Sequence, residues 1–168
     1  MDLTKLLKIS DALTLLNVVS GLLCIFFAII GKPEIAAVLL LIAVGFDYFD
    51  GKSAKKRGIE NEFGKELDSL ADIISFGIAP CVFVFLLVKD IRFALVYILY
   101  ILAGVIRLAR YNIAEATAYF EGMPITVNGV AVPLLYFVFA GYNWFYVYYA
   151  YLILAAFLMV SSIKFKKL

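Results

Sequence analysis

The sequence contains no histidine. That absence removes imidazole as a general base and as a metal ligand, so proton and metal chemistry fall to carboxylates. Cysteine is scarce as well. Cys24 and Cys81 stand alone in apolar runs, without metal-site spacing or flanking charge, and read as small core residues. Charged residues make up only 17% of the chain, and a net charge of +2 gives no bulk attraction for nucleic acid. What fills the chain is apolar: 65% hydrophobic residues and a mean hydropathy of +1.00, outside the soluble globular range. The 168 residues suit one integral membrane domain covering the whole chain.

Membrane spans need runs of roughly 17–25 apolar residues. Six runs are predicted, making an all-α polytopic protein: about Leu13 to Ile30, Ile35 to the Asp47–Asp50 region, Phe63 to Val88, Phe93 to Ile113, Val130 to Tyr142, and Trp144 to Ile163. The second continues as a polar helix to Arg57. The first continues past any small-residue cleavage site and reads as a retained span. Residues 1–12, with Leu3, Leu6 and Leu7 beside Lys5 and Lys8, suit a short amphipathic helix on the inner membrane surface. With both ends inside, twelve lysines and arginines fall on the cytoplasmic side and three (Lys32, Lys89, Arg92) outside, as the positive-inside rule expects. Tyr142, Trp144, Tyr146, Tyr148 and Tyr149 would form an aromatic belt at the outer interface.

Against this scarcity of charge, residues 47–72 hold four aspartates, three glutamates and five lysines or arginines. Asp47 and Asp50 are spaced i, i+3, and Asp68 and Asp72 i, i+4, so each pair shares one helix face. Gly51 and Ala54 flank the first pair, and Gly64 precedes the second by one turn. The connection around Gly58 is short and predicts an antiparallel neighbour pair. Four aspartates at close range repel strongly, and a hard divalent cation, or two, resolves this. All-oxygen ligands favour Mg²⁺, Mn²⁺ or Ca²⁺ over zinc or copper. Carboxylate-held metals suit displacement at phosphorus. The glycine notches would let a diphosphate approach the backbone. Lys52, Lys55, Lys56, Arg57 and Lys65 add positive charge for it, or serve only to hold the loop inside. A carboxylate-lined cation or proton transporter is the competing reading of the same aspartates.

The run Asp47-x2-Asp50-Gly51-x2-Ala54-Lys55-x8-Gly64-x3-Asp68-x3-Asp72 resembles the signature of the CDP-alcohol phosphotransferase family, D-x2-D-G-x2-A-R-x8-G-x3-D-x3-D. Every spacing matches, and Lys55 stands where the family has arginine; it keeps the charge without the bidentate fork. The resemblance implies Asp47, Asp50 and Asp68 as metal ligands, with Asp72 a further ligand or the general base. It implies a CDP-lipid site formed by Asp50, Gly51, Ala54, Lys55, Gly64, Lys65 and Asp68, and a homodimer in the cell membrane with its site on the cytoplasmic side. Ser75-Phe76-Gly77-Ile78-Ala79-Pro80, Arg107-Leu108-Ala109-Arg110-Tyr111-Asn112 and Gly122-Met123-Pro124-Ile125 resemble segments of the branch that uses L-serine as acceptor. Within that resemblance Arg107 and Arg110 would hold the acceptor's carboxylate or a diphosphate, and Asn112 would help orient it. Pro80 is expected to kink the third span. Sister branches acting on glycerol 3-phosphate or an inositol phosphate remain the enzyme alternatives.

Overall fold

The computed structural model describes residues 9–57, 62–113, 119–141 and 144–166, with side chains described for the same segments less 9–10, 53–57, 119–120 and 164–166. The predicted surface helix at the N-terminus therefore lies mostly outside the described residues, as do the side chains of Ala54, Lys55, Lys56 and Arg57, and Gly58 and Tyr142 altogether. The helices are α1 (Ile9–Ile29), α2 (Pro33–Arg57), α3 (Glu62–Asp72), α4 (Ala79–Val88), α5 (Ala94–Ile113), α6 (Thr126–Phe139) and α7 (Phe145–Val160). A π-helical segment, Ile73–Ile78, fuses α3 and α4 into one rod, so the described chain forms six helical rods. Two short strands, β1 (Tyr119–Glu121) and β2 (Lys164–Lys166), pair antiparallel with Phe120 opposite Phe165.

Three rods are long and apolar enough to cross a membrane: Asp11–Ile29, Glu62–Val88 and Ile91–Ile113. α2 is long but carries the acidic and basic residues in its second half, while α6 and α7 are apolar and shorter. Large apolar side chains such as Phe26, Leu95, Leu99, Val138 and Phe157 face outward, and polar ones such as Asn17, Asp50, Asp72, Arg107 and Asn128 are buried. That distribution suits a protein whose solvent is lipid, where polar groups turn toward the bundle interior.

Pro80 accounts for the π segment. Proline has no N–H and its ring crowds the carbonyl four residues earlier. That carbonyl, on Phe76, instead accepts from the Tyr100 hydroxyl at 2.7 Å, and the Ala79 N–H reaches back five residues to Ile74. A one-turn widening of this kind is the expected outcome where a rod must pass such a residue. The widened turn packs tightly against α1, where the Ser75 hydroxyl donates to the Asn17 carbonyl at 3.1 Å and Gly21 sits opposite.

Helix ends differ from the sequence expectation by up to a turn. α6 begins at Thr126, because Pro124 and Ile125 carbonyls accept the first N–H groups, of Val127 and Asn128. α7 stops at Val160, and the chain turns extended at Ser161 to build β2. The outer belt also needs correction. Trp144 and Tyr146 are exposed, but Tyr148 and Tyr149 are buried. Tyr149 stacks on Phe93 at 3.7 Å between centroids and shares a hydrogen bond with Tyr97, so packing rather than the interface holds it. At the turn between α4 and α5, Asp90 caps the short helical turn Ile91–Phe93 and chelates Arg92, which holds its carboxyl below the usual carboxylate range.

Candidate functional site

Three oxygens, one each from Asp47, Asp50 and Asp68, lie within 4.8 Å of one another. α2 supplies the first two and α3 the third. Among the described residues α2 and α3 meet at these carboxylates without packing side by side, so the neighbour pair expected from the short connection gives way to α1, which packs along both. Asp72, at the junction of α3 with the π segment, is in hydrogen-bond contact with Asp47. Two carboxylates in contact are relieved by a proton shared between them or by a cation.

Each carboxylate is supported differently. Thr14 on α1 donates to Asp50 Oδ2 at 2.8 Å, and Thr126 at the start of α6 hydrogen-bonds Asp47. Asp68 Oδ1 and Asp72 Oδ1 are buried without a protein partner. Buried polar atoms almost always have a partner, so these orphaned acceptors invite a cation. The donor set is all oxygen, the type taken by Mg²⁺, Mn²⁺ and Ca²⁺. The residues therefore fit the metal that the sequence leads one to expect.

Among the described residues, Arg107 sets a positive charge against this cluster. It is buried on α5, its guanidinium acts on Asp72, Asp47 and Asp68, and its Nε has no partner. Its guanidinium lies 5.5 Å from the centre of the Tyr111 ring, and Lys65 Nζ lies 5.7 Å from the same ring. Lys65 also donates to the Asn112 carbonyl at 2.6 Å, and Ser69 donates to Asn112 Oδ1 at 3.0 Å. Asn112 thus ties the end of α5 to α3. Gly51 is exposed, and a Cβ there would meet nothing within 4 Å, which leaves the approach to Asp50 open. Gly64 is half-buried one turn before Asp68.

Arg110 points another way. Its guanidinium donates to the carbonyls of Glu121, Met159, Val160 and Ser161 at 3.0–3.4 Å. Three of these lie at the C-terminal end of α7, where helix carbonyls lack intrahelical partners. Gly122, at φ +77°, fits beneath this clasp: a Cβ there would strike the Met159 carbonyl and approach Arg110 Nη2 to 2.8 Å. The clasp fixes the loop that delivers Ile125 and Thr126. Ile125 is fully buried, close to Gly77 and Gly104, so its side chain locks α6 to the π segment and α5.

The structure thus brings together Asp47, Asp50, Asp68, Asp72 and Arg107, with Gly51 and Gly64 beside them. It sets Lys65 and Asn112 against each other alongside, and turns Arg110 toward the end of α7. Sequence reasoning missed Thr14, Thr126, Ser69 and Asn17. Asp11, Thr14, Asn17 and Ser20 form a buried polar stripe in an apolar span, a signal that was available for α1. Thr126 sits in a polar link and carries no such signal.

The model for the family described as CDP-alcohol phosphatidyltransferase matches residues 7–162. The chain belongs to this family. It is 38% identical over 139 residues to an archaetidylserine synthase of Methanothermobacter thermautotrophicus, covering 80% of this chain and 60% of that protein. It is 35% identical to a CDP-diacylglycerol–serine O-phosphatidyltransferase of Saccharomyces cerevisiae, over 71% of this chain and 50% of the relative. A protein of the same description from Methanocaldococcus jannaschii is 32% identical over 166 residues, covering 99% of this chain and 77% of the relative. The chain thus spans between half and about three quarters of the length of these relatives. Family membership gives the aspartate cluster its context: the carboxylates that converge in space are those of the signature.

Proposed function

We propose that the protein is a divalent-metal-dependent transferase that moves a phosphatidyl-type group from a CDP-activated lipid to L-serine, releasing CMP. The observation that carries this is the convergence of Asp47, Asp50 and Asp68 within 4.8 Å, with Asp72 touching Asp47. Serine as acceptor is supported by the relatives, which are described as archaetidylserine synthase and CDP-diacylglycerol–serine O-phosphatidyltransferase. The lipid donor is CDP-diacylglycerol or CDP-archaeol.

In this reading Asp47, Asp50, Asp68 and Asp72 hold Mg²⁺ or Mn²⁺, as one ion or two. A cation held there supplies charge neutralisation for the diphosphate and for the departing CMP. Gly51, Ala54 and Gly64 keep side-chain bulk away from the nucleotide, and Lys55 and Lys65 add positive charge beside it. Asp72 accepts the proton of the serine hydroxyl. The serine oxygen then forms a bond to the lipid-side phosphorus as the bond from that phosphorus to the CMP oxygen breaks. Arg107, the buried cation facing these carboxylates, is assigned to the serine carboxylate, since a guanidinium matches it bidentately. Arg110 and Asn112 complete the acceptor side, the one by clasping the loop at 121–126 and the other by fixing α5 to α3. Catalysis is carried by one domain, and the homodimer stays part of the proposal.

The test is CMP release from each CDP-lipid with serine, glycerol 3-phosphate or an inositol phosphate, with and without chelator. Release that needs both serine and divalent metal is expected. Release with glycerol 3-phosphate and none with serine would move the protein to a sister branch. Cation flux into liposomes without any nucleotide would support the transporter.

A further inference from the structure

Both aspartates of α2 receive a threonine hydroxyl, and the two threonines come from different helices. Thr14 of α1 donates to Asp50, and Thr126 of α6 hydrogen-bonds Asp47. Neither threonine belongs to the acidic signature. Threonine in a membrane helix ordinarily turns its hydroxyl back to a carbonyl three or four residues earlier. Here the hydroxyls reach carboxylates far away in sequence, and Thr14 and Asp50 are themselves buried.

Both threonines are held rigidly. The Thr14 helix is fixed one turn on, where the Asn17 carbonyl accepts from Ser75 and Gly21 allows close contact with the π segment. Thr126 is fixed by its neighbours: Ile125 is fully buried, Asn128 Nδ2 donates to the Ile125 carbonyl at 2.9 Å, and the Tyr151 hydroxyl donates to Asn128 Oδ1 at 2.7 Å. The β-branch further limits rotation about χ1. A carboxylate with one oxygen engaged by such a donor has its plane set and its remaining acceptor sites directed elsewhere.

We propose that Thr14 and Thr126 are positioning residues that orient Asp50 and Asp47 toward a divalent cation shared with Asp68. Partners that orient metal-binding side chains are a general requirement of such sites. The inference rests on the metal-holding role assigned to the cluster under the proposed function. It adds that α1 and α6, which contribute nothing to the acidic signature, clamp the cation site from two directions. The clamp also makes α6 sense the site: the loop held by Arg110 ends on Thr126, so disturbance of that loop reaches Asp47.

The test is Mn²⁺ titration of the purified full chain, followed by electron paramagnetic resonance, with no nucleotide or serine present. Thr14→Val and Thr126→Val are expected to weaken Mn²⁺ binding by about 10- to 100-fold, the usual effect of removing such a partner. Thr14→Ser and Thr126→Ser, which keep the hydroxyl, are expected to bind as the unaltered protein does. In an Asp50→Asn background, Thr14→Val should cost no further affinity. Valine variants that bind Mn²⁺ normally would overturn the proposal, and so would serine variants as impaired as valine ones, which would mark a packing role. Because binding is read without substrates, a protein that binds Mn²⁺ through this clamp yet transfers nothing to serine would refute the proposed reaction and leave the clamp standing.

Discussion

At the scale of single residues, Asp72 separates structural from chemical roles. It is buried, touches Asp47, and leaves Oδ1 without a protein partner. Asparagine has nearly the same shape and can still occupy the place, but it cannot take a proton. Asp72→Asn is therefore expected to lower turnover by at least about 100-fold, the scale of a lost general base, while CDP-lipid binding partly survives. Turnover and binding measured on the same preparation check this, and full activity would remove Asp72 from the mechanism. The four aspartates were legible in the sequence because helix periodicity fixes which residues share a face. Their threonine partners were not, because Thr14 and Thr126 meet α2 only through tertiary packing. Arg110 shows the converse limit. Its spacing from Arg107 gave it the same expected role, yet the two guanidinium groups diverge, one toward the carboxylates and one toward the carbonyls that end α7.

At the scale of elements, the rods were legible from apolar run length, and the disturbance that Pro80 causes takes the form of a π segment within a continuous rod. Its mechanical consequence was not legible, since it depends on who stands opposite. Gly21 stands there: a Cβ added to it would lie 2.9 Å from the Ser75 Cα, a backbone atom with little room to retreat. Gly21→Ala is thus expected to destabilise the fold by about 1–3 kcal/mol, the usual cost of overpacking a well-filled site. Thermal unfolding in detergent measures it; an unchanged or raised midpoint would show that α1 and the π segment can separate freely. The ribbon of β1 and β2 was missed for a related reason. Three-residue strands have no periodicity to read, and this pair is held by Gly122 and its hydrogen bond to the Ile163 carbonyl as much as by its own ladder.

For the whole molecule, family membership and three long apolar rods make this an integral membrane protein. The asymmetry of twelve basic residues against three argues that both ends and the aspartates face the cytoplasm. A cysteine introduced at Lys52 should then react with an impermeant thiol reagent only after the membrane is opened, and one at Lys32 should react at once; the reverse pattern would invert the topology. Such an orientation would let a water-soluble amino acid meet a lipid-borne nucleotide at one membrane face. The signature made the nucleotide chemistry legible, whereas the acceptor rests on Arg107 and on the company the chain keeps among its relatives. The most direct measurement is mass spectrometry of the products formed from CDP-lipid and serine carrying ¹⁸O in its hydroxyl, with Mg²⁺ present. Attack by serine on the lipid-side phosphorus predicts a phosphatidylserine-type lipid that retains the label, with an equal amount of unlabelled CMP. A lipid product without serine or without the label would contradict the account.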